Sequence, residues 1–436
     1  MPNPRNLDLE MNAGHPINAS RQGTASAVPK TVATAAVLTP EVCRTDALPV
    51  FETASCKASA TALGIYVQVP FCQTKCTYCN FHTGVVARSL YRPYVDAVCR
   101  EISQSRALRG VTVDTVYLGG GTPSLLEPAD LALITDAIRR NYACHWNEVT
   151  LEADPETITA EKAAAWLNAG INRISMGVQS FNDEELRAAG RMHRRDNVFR
   201  ATELLRAAGF QNISMDLIAG LPHQTRASWE SSVDELLAIH PEHISIYLLE
   251  VDDASRLGKE IIAGGNQYGA AAVPSDDAMA DFYDSARARL AAAGFEHYEI
   301  SNWALPERTS THNLKYWRRE PYIGFGAGAH SFDGQRRWAN VHDPSAYAGA
   351  IAQGRTVIES DEAVTATQAL EEEFFLGLRQ LAGIDLARIE REYHANLAPR
   401  VNKLLRDGLL ERHGDTIRLN AAKLTISNEA FAELLE

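Results

Sequence analysis

The sequence predicts an α/β protein: a partial (β/α)6 barrel of the TIM type, followed by a helical, winged-helix-like C-terminal module. Three observations carry this expectation. Six short apolar stretches begin at Ile65 and, after the first interval, recur about every thirty to forty residues, with amphipathic segments between them. Residues able to do chemistry gather at the ends of those stretches, where barrels build their sites. From about Thr365 the chain reads as helices and finishes in "GLLERHGDTIRLN", whose Gly414-Asp415 pair suits the turn of a small hairpin.

The strands are expected at "IYVQV" (65–69), "DTVYLG" (114–119), "EVTLEA" (148–153), "RISMGV" (173–178), "ISMDLI" (213–218) and "HISIYLL" (243–249). Amphipathic stretches such as Arg92 to Ala107 and Arg195 to Ala208 supply the crossovers between parallel strands. Six units favour an open barrel over a closed eight-fold one. The segment "GKEIIAGGNQYGAAAVPSDD" then breaks the pattern and reads as a loop. A helix (Asp277 to Ala293) and a strand (His297 to Ser301) follow, leading into a Gly- and aromatic-rich region, 302–350.

The expected division is a disordered extension over 1–60, the barrel over 61–305 and a C-terminal region over 306–436. The extension is rich in Ala, Thr, Ser, Pro and Asn and has no sustained period, so it lacks the means to bury a core. Cys43 and Cys56 fall in it and read as incidental thiols.

A formal charge of −13 over 436 residues argues against nucleic acid as the main partner, because phosphate binding needs a concentrated positive face. The acidic C-terminal module is accordingly read as a packing or lid element. Seven cysteines, three tightly clustered and four scattered, do not form a disulfide framework and fit a reducing compartment. The N-terminus lacks a signal peptide's apolar region, and Asp8 and Glu10 count against a transit peptide, so the cytoplasm is expected.

The segment "YVQVPFCQTKCTYCNF" places Cys72, Cys76 and Cys79 directly after the first strand. Three thiolates are one short of a closed tetrahedral site. With His82 they would make a Cys3His zinc site; without it they would hold three irons of a cubane and leave the fourth open. The second strand ends in "LGGGTPS", which has neither the third glycine of a dinucleotide fingerprint nor the Gly-Lys-Ser/Thr of a phosphate loop. These glycines are expected to let a ligand approach the backbone closely. Around the same rim lie Glu152, Gln179, Arg191 and Asp216, on successive strand ends or the loops that follow.

The C-x3-C-x2-C triplet, with "GGGTP" and "LEADP", resembles the radical S-adenosylmethionine (SAM) proteins. The stretches "MGVQSF", "DLIAGLP", "YEISNWA" and "HNLKYW" extend the resemblance, over roughly residues 63 to 430, to the oxygen-independent coproporphyrinogen III oxidase group. It implies a radical SAM barrel with a [4Fe–4S] cluster on Cys72, Cys76 and Cys79. In that family the amino and carboxylate groups of SAM chelate the fourth iron, and one-electron reduction releases a 5′-deoxyadenosyl radical. Tyr66, Gly120 and Glu152 match contacts to that SAM. Tyr78, Gly121, Thr122, Gln179, Arg191 and Asp216 match residues that in the oxidase line a second SAM site or its adjoining shell.

The oxidase carries a further cysteine where this chain has Phe81. The form C-x3-C-x2-C-x-F resembles the HemW group, which binds heme and hands it to acceptor proteins, membrane-associated respiratory proteins among the candidates. Gln68 stands where the family usually has His, and an amide cannot act as an imidazole acid or iron ligand. The resemblance thus implies a heme chaperone rather than a porphyrinogen-decarboxylating oxidase. It leaves SAM cleavage open and is compatible with a homodimer. The heme is expected at "HNLKYWRRE", where His312 offers an imidazole, Tyr316 and Trp317 ring faces, and Lys315, Arg318 and Arg319 charges for propionates. His330, in "GAGAHSF", is the rival iron ligand.

Overall fold

A computed structural model describes residues 62–434. The expected extension, with Cys43 and Cys56, lies outside the described residues.

Six parallel strands form the frame: β1 (Leu63–Val69), β2 (Val113–Gly120), β3 (Cys144–Ala153), β4 (Arg173–Gln179), β5 (Ile213–Ala219) and β6 (His243–Leu248). They pair in chain order, β1 with β2 through to β5 with β6. Period-two alternation gives every strand two different faces. Val116, Leu118, Val149, Leu151, Ile174, Met176, Met215, Leu217, Ile244 and Ile246 face outward into one continuous core, with essentially no exposure. The intervening residues, among them Tyr117, Glu152, Arg173, Ser175, Asp216, His243 and Ser245, face a polar interior cavity.

The sheet is larger than the six units read from sequence. Beyond β6 lie β7 (Glu296–Glu299) and β8 (Asn302–Ala304), with β8 inserted antiparallel against β6. On the other side β9 (Tyr322–Phe325) joins β1 in parallel, followed by β10 (His330–Phe332), β11 (Arg336–Asn340) and β12 (Ile358–Ala363). Thus the Gly- and aromatic-rich region supplies strands, and one twelve-stranded sheet runs across residue 306. The short β8–β11 stretches carry too few residues each to show a period. The barrel stays open, with a linear strand order and no pairing between β1 and β6.

Its floor is closed by a short helix, Thr311–Trp317, the "HNLKYW" motif. Glu148, at the start of β3's buried portion, accepts hydrogen bonds from the backbone N–H of Thr311 (2.9 Å) and His312 (3.0 Å), neutralising the helix N-terminus.

The C-terminal module has helices Ala366–Gly377, Leu386–Tyr393 and Ala398–Arg406 around a three-stranded sheet, β13 (Ile384–Asp385), β14 (Leu410–His413) and β15 (Thr416–Leu419), ordered β13-β15-β14. Gly414-Asp415 makes the tight turn between β14 and β15, with Gly414 at φ +62°. Among the described residues no helix is long and apolar enough to cross a membrane.

Candidate functional site

The C-terminal ends of the strands open into a cleft with about 1150 Å³ of non-protein space, its solvent mouth included. Cys72, Cys76, Tyr78, Cys79, Gly120, Gly121, Thr122, Glu152, Gln179, Arg191 and Asp216 all line it. The cysteine loop is zipped to the glycine turn by Gly121 N–H to Val69 O (2.8 Å) and Thr122 N–H to Phe71 O (2.7 Å). A side chain at Gly121 would collide with the Phe71 and Val69 carbonyls. At Gly120, where φ is +109°, it would collide with the Gln68 amide. At both glycines the backbone thus passes close to other protein groups, on the cleft wall where the sequence leads one to expect a ligand.

The thiols of Cys72, Cys76 and Cys79 are half-buried. Burial pushes the Cys72 thiol up to about 11 and raises that of Cys79 too. Holding them as thiolates therefore calls for a cation, and three soft donors on one cleft suit iron. His82 does not line the cleft; its ring lies 4.5 Å from that of His342. Among the described residues no three His, Cys, Asp or Glu groups converge as around a single ion. The Cys3His zinc alternative thus has no counterpart, whereas a cubane takes one thiolate per iron and needs no common point.

Polar groups are held stiffly around the thiols. Glu152 accepts from Tyr117 Oη–H (2.8 Å) and Gly120 N–H (2.9 Å), and burial raises its carboxyl to about 7. Burial likewise raises Asp216 to about 6. Arg191 donates to the Gly177 carbonyl (2.7 Å), pairs with Asp154, and lies 3.5 Å from the Cys76 sulfur. Gln179 adopts φ +68°, a left-handed conformation uncommon outside glycine, directly at the mouth.

Reading from sequence missed Asp154, which positions Arg191 and accepts from Thr122 Oγ1–H (3.2 Å). It also missed Tyr117 and Arg173. The available signal was strand parity: 152 and 154, or 173, 175, 177 and 179, share a face. Tyr66 is not on the cleft wall; its hydroxyl donates to Gln68 Oε1 (2.5 Å) and its ring stacks on Tyr117.

The heme expectation for "HNLKYWRRE" meets a different geometry. His312 is fully buried, with Nδ1 at 2.9 Å from Thr115 Oγ1 and Nε2 at 2.8 Å from Tyr316 Oη. Both ring nitrogens are engaged, and burial lowers the imidazole to about 3, so it stays neutral. Tyr316 and Trp317 belong to a buried cluster with Tyr322, Phe332 and Leu376. Lys315 pairs with Asp114 (3.0 Å) and Glu320 (3.3 Å), and Arg319 with Glu372 (2.9 Å) on the C-terminal module. Arg318 reaches Gln380 at 3.3 Å. The motif plugs the barrel and docks the module, and in this arrangement its aromatic and basic groups have protein partners. His330 lies elsewhere, half-buried on β10 with its ring 6.5 Å from that of His342.

Comparison with known proteins adds to this geometry. The model of the Radical SAM superfamily matches residues 66–236, and that of the HemN C-terminal domain matches 364–422. A Bacillus subtilis protein named heme chaperone HemW is 34% identical over 377 residues, 85% of this chain and 98% of that protein. A Synechocystis protein of the same name is 38% identical over 335 residues, 74% of this chain and 79% of its own. The solved structure of coproporphyrinogen III oxidase (HemN) from Escherichia coli superposes with a TM-score of 0.74 at 23% identity, covering 86% of this chain and 90% of that one. That likeness concerns the fold.

Proposed function

This chain belongs to the HemW family of radical SAM proteins, and from that premise we propose that it binds heme and delivers it to an acceptor protein. The observation that carries the reading is the 34% identity along 98% of a relative named as a heme chaperone. Phe81 agrees with it, since this residue on the cleft wall stands where the oxidase places a cysteine.

In this reading Cys72, Cys76 and Cys79 hold three irons of a [4Fe–4S] cluster. The glycine turn and Glu152, whose carboxylate is fixed by Tyr117 and Gly120, would hold SAM. The cluster, when bound, supplies one-electron reduction, and SAM is the group that receives it. Arg191, held by Asp154 beside Cys76, places a positive charge next to the thiolates and balances their negative charge. Thr122, Tyr78, Gln179 and Asp216 complete the polar wall.

The test is anaerobic reconstitution followed by two assays on one preparation. Hemin binding with transfer to an apo-hemoprotein is expected, without conversion of coproporphyrinogen III in the presence of SAM and a strong reductant. Multiple-turnover decarboxylation would replace this reading with the oxidase.

A further inference from the structure

The loop that carries Cys72, Cys76 and Cys79 contains neither helix nor strand, so its backbone polar groups need partners from elsewhere in the chain. We propose that the turn and helix following β6 form a clamp on this loop, in which Asp252 and Arg256 fix where Cys76 and Cys79 present their sulfurs to the cluster. The inference rests on the [4Fe–4S] reading above and assigns positioning residues to it.

Three contacts make the clamp. Part of the segment that the sequence reads as a loop forms the helix Arg256–Ala263, with Ser255 as its N-cap. The Leu257 N–H, in the first turn of that helix, has no intrahelical acceptor of its own. It donates instead to the Thr77 carbonyl (2.8 Å), one residue beyond Cys76. The Arg256 guanidinium donates to the Lys75 carbonyl, one residue before Cys76. Asp252 accepts from the side-chain amide of Asn80, one residue beyond Cys79.

The clamp is itself held stiffly. The Asp252 carboxylate also accepts from Ala254 N–H (2.7 Å), and its carbonyl from Ser255 Oγ–H (2.8 Å). A side chain at Gly258 would collide with that carbonyl. The Arg256 guanidinium lies 5.3 Å from the centre of the Tyr268 ring. From the opposite side, buried Thr77 donates its N–H to Ala189 O (3.0 Å) and its hydroxyl to Ala188 O (3.1 Å). The stretch between the second and third cysteines is thus gripped by the connection after β4 and by the one after β6. Such outer partners orient metal ligands and tune the metal they hold. Arg256 adds a positive charge beside the ligands and Asp252 a negative one, and a cation favours the reduced, more negative state of a cluster.

The experiment compares the full-length wild-type protein with Arg256→Gln and Asp252→Ala after anaerobic reconstitution. It reads iron release to a chelator and the reduction potential of the cluster by redox titration. Both variants are expected to lose iron about tenfold faster than the wild type. Their potentials should move in opposite directions, more negative without the cation of Arg256 and less negative without the anion of Asp252. Arg256→Lys, which keeps a cationic donor, is expected to bring both readings back toward the wild type. Far-UV circular dichroism of the metal-free variants, expected to match the wild type, separates a lost clamp from a lost fold. General loosening would displace both potentials the same way, so faster release with like-signed shifts overturns the assigned roles. Wild-type release rates in both variants overturn the inference while leaving the cluster reading intact. A wild-type protein that takes up no [4Fe–4S] cluster overturns both.

Discussion

At Cys72 and Cys79, burial works against the ionised form that a metal requires. The cluster charge must offset that penalty, and a methyl group cannot substitute for a thiolate. Cys72→Ala, Cys76→Ala and Cys79→Ala are each expected to prevent a full [4Fe–4S] cluster. Cys99→Ala and Cys144→Ala, away from the cleft, should leave it intact. Iron and sulfide analysis with visible absorption checks this, and stoichiometric zinc without iron would count against it. Gly120→Ala is a second residue-scale test. Its left-handed backbone strains any side chain and the Gln68 amide against it would have to move, which disturbs the turn that orients Glu152. A loss of about tenfold in SAM affinity, with cluster content retained, is expected by equilibrium dialysis.

The helix Thr311–Trp317 shows what an element adds to a motif. From sequence, "HNLKYW" offered an imidazole, two aromatic rings and a lysine, which a porphyrin uses equally well. Its position against the barrel floor gives those groups other partners. Thr115 and Tyr316 take both nitrogens of His312, and Asp114 and Glu320 take Lys315. The buried carboxylate of Glu148 anchors the helix start. Glu148→Gln keeps the shape and removes the charge, and is expected to cost about 1–3 kcal/mol in denaturant unfolding of the metal-free protein. An unchanged midpoint and slope would show that Glu148 does not hold the plug in place. Elements with long periodic signals were legible in advance: the six parallel strands were located to within about four residues at their ends. Strands β8 to β11, three to five residues each, were not, because pairing with neighbours distant in sequence makes them strands.

At the scale of the molecule, one buried carboxyl joins the barrel to the strands that follow it. Glu101, on helix Tyr91–Gln104, accepts from Tyr347 Oη–H (2.5 Å), Gly326 N–H (2.9 Å) and Asn340 Nδ2–H (2.7 Å). Burial, outweighing these hydrogen bonds, raises it from 4.5 to about 7. A carboxyl raised on folding contributes stability that is fully present below its unfolded value. That contribution is lost as pH rises through the folded value. Wild-type stability relative to Glu101→Gln should therefore fall by up to about 3 kcal/mol between pH 4.5 and pH 7, then level off. Comparing the two proteins removes the parallel contributions of Glu152 and Asp216, and parallel pH profiles would contradict the assignment.

The sequence by itself determined the α/β class, the six-strand frame, the thiol triplet and most of the polar rim. Each rests on spacing within one segment, and local period and motif order survive folding. Only the tertiary structure decided what the glycines accommodate, that Asp154 positions Arg191, and that His312 is enclosed while His82, His330 and His342 share one corner. Those are relations between segments far apart in the chain. Whether a side chain faces a ligand or the core depends on partners that periodicity cannot name, because burial and hydrogen bonding are completed only when the segments pack.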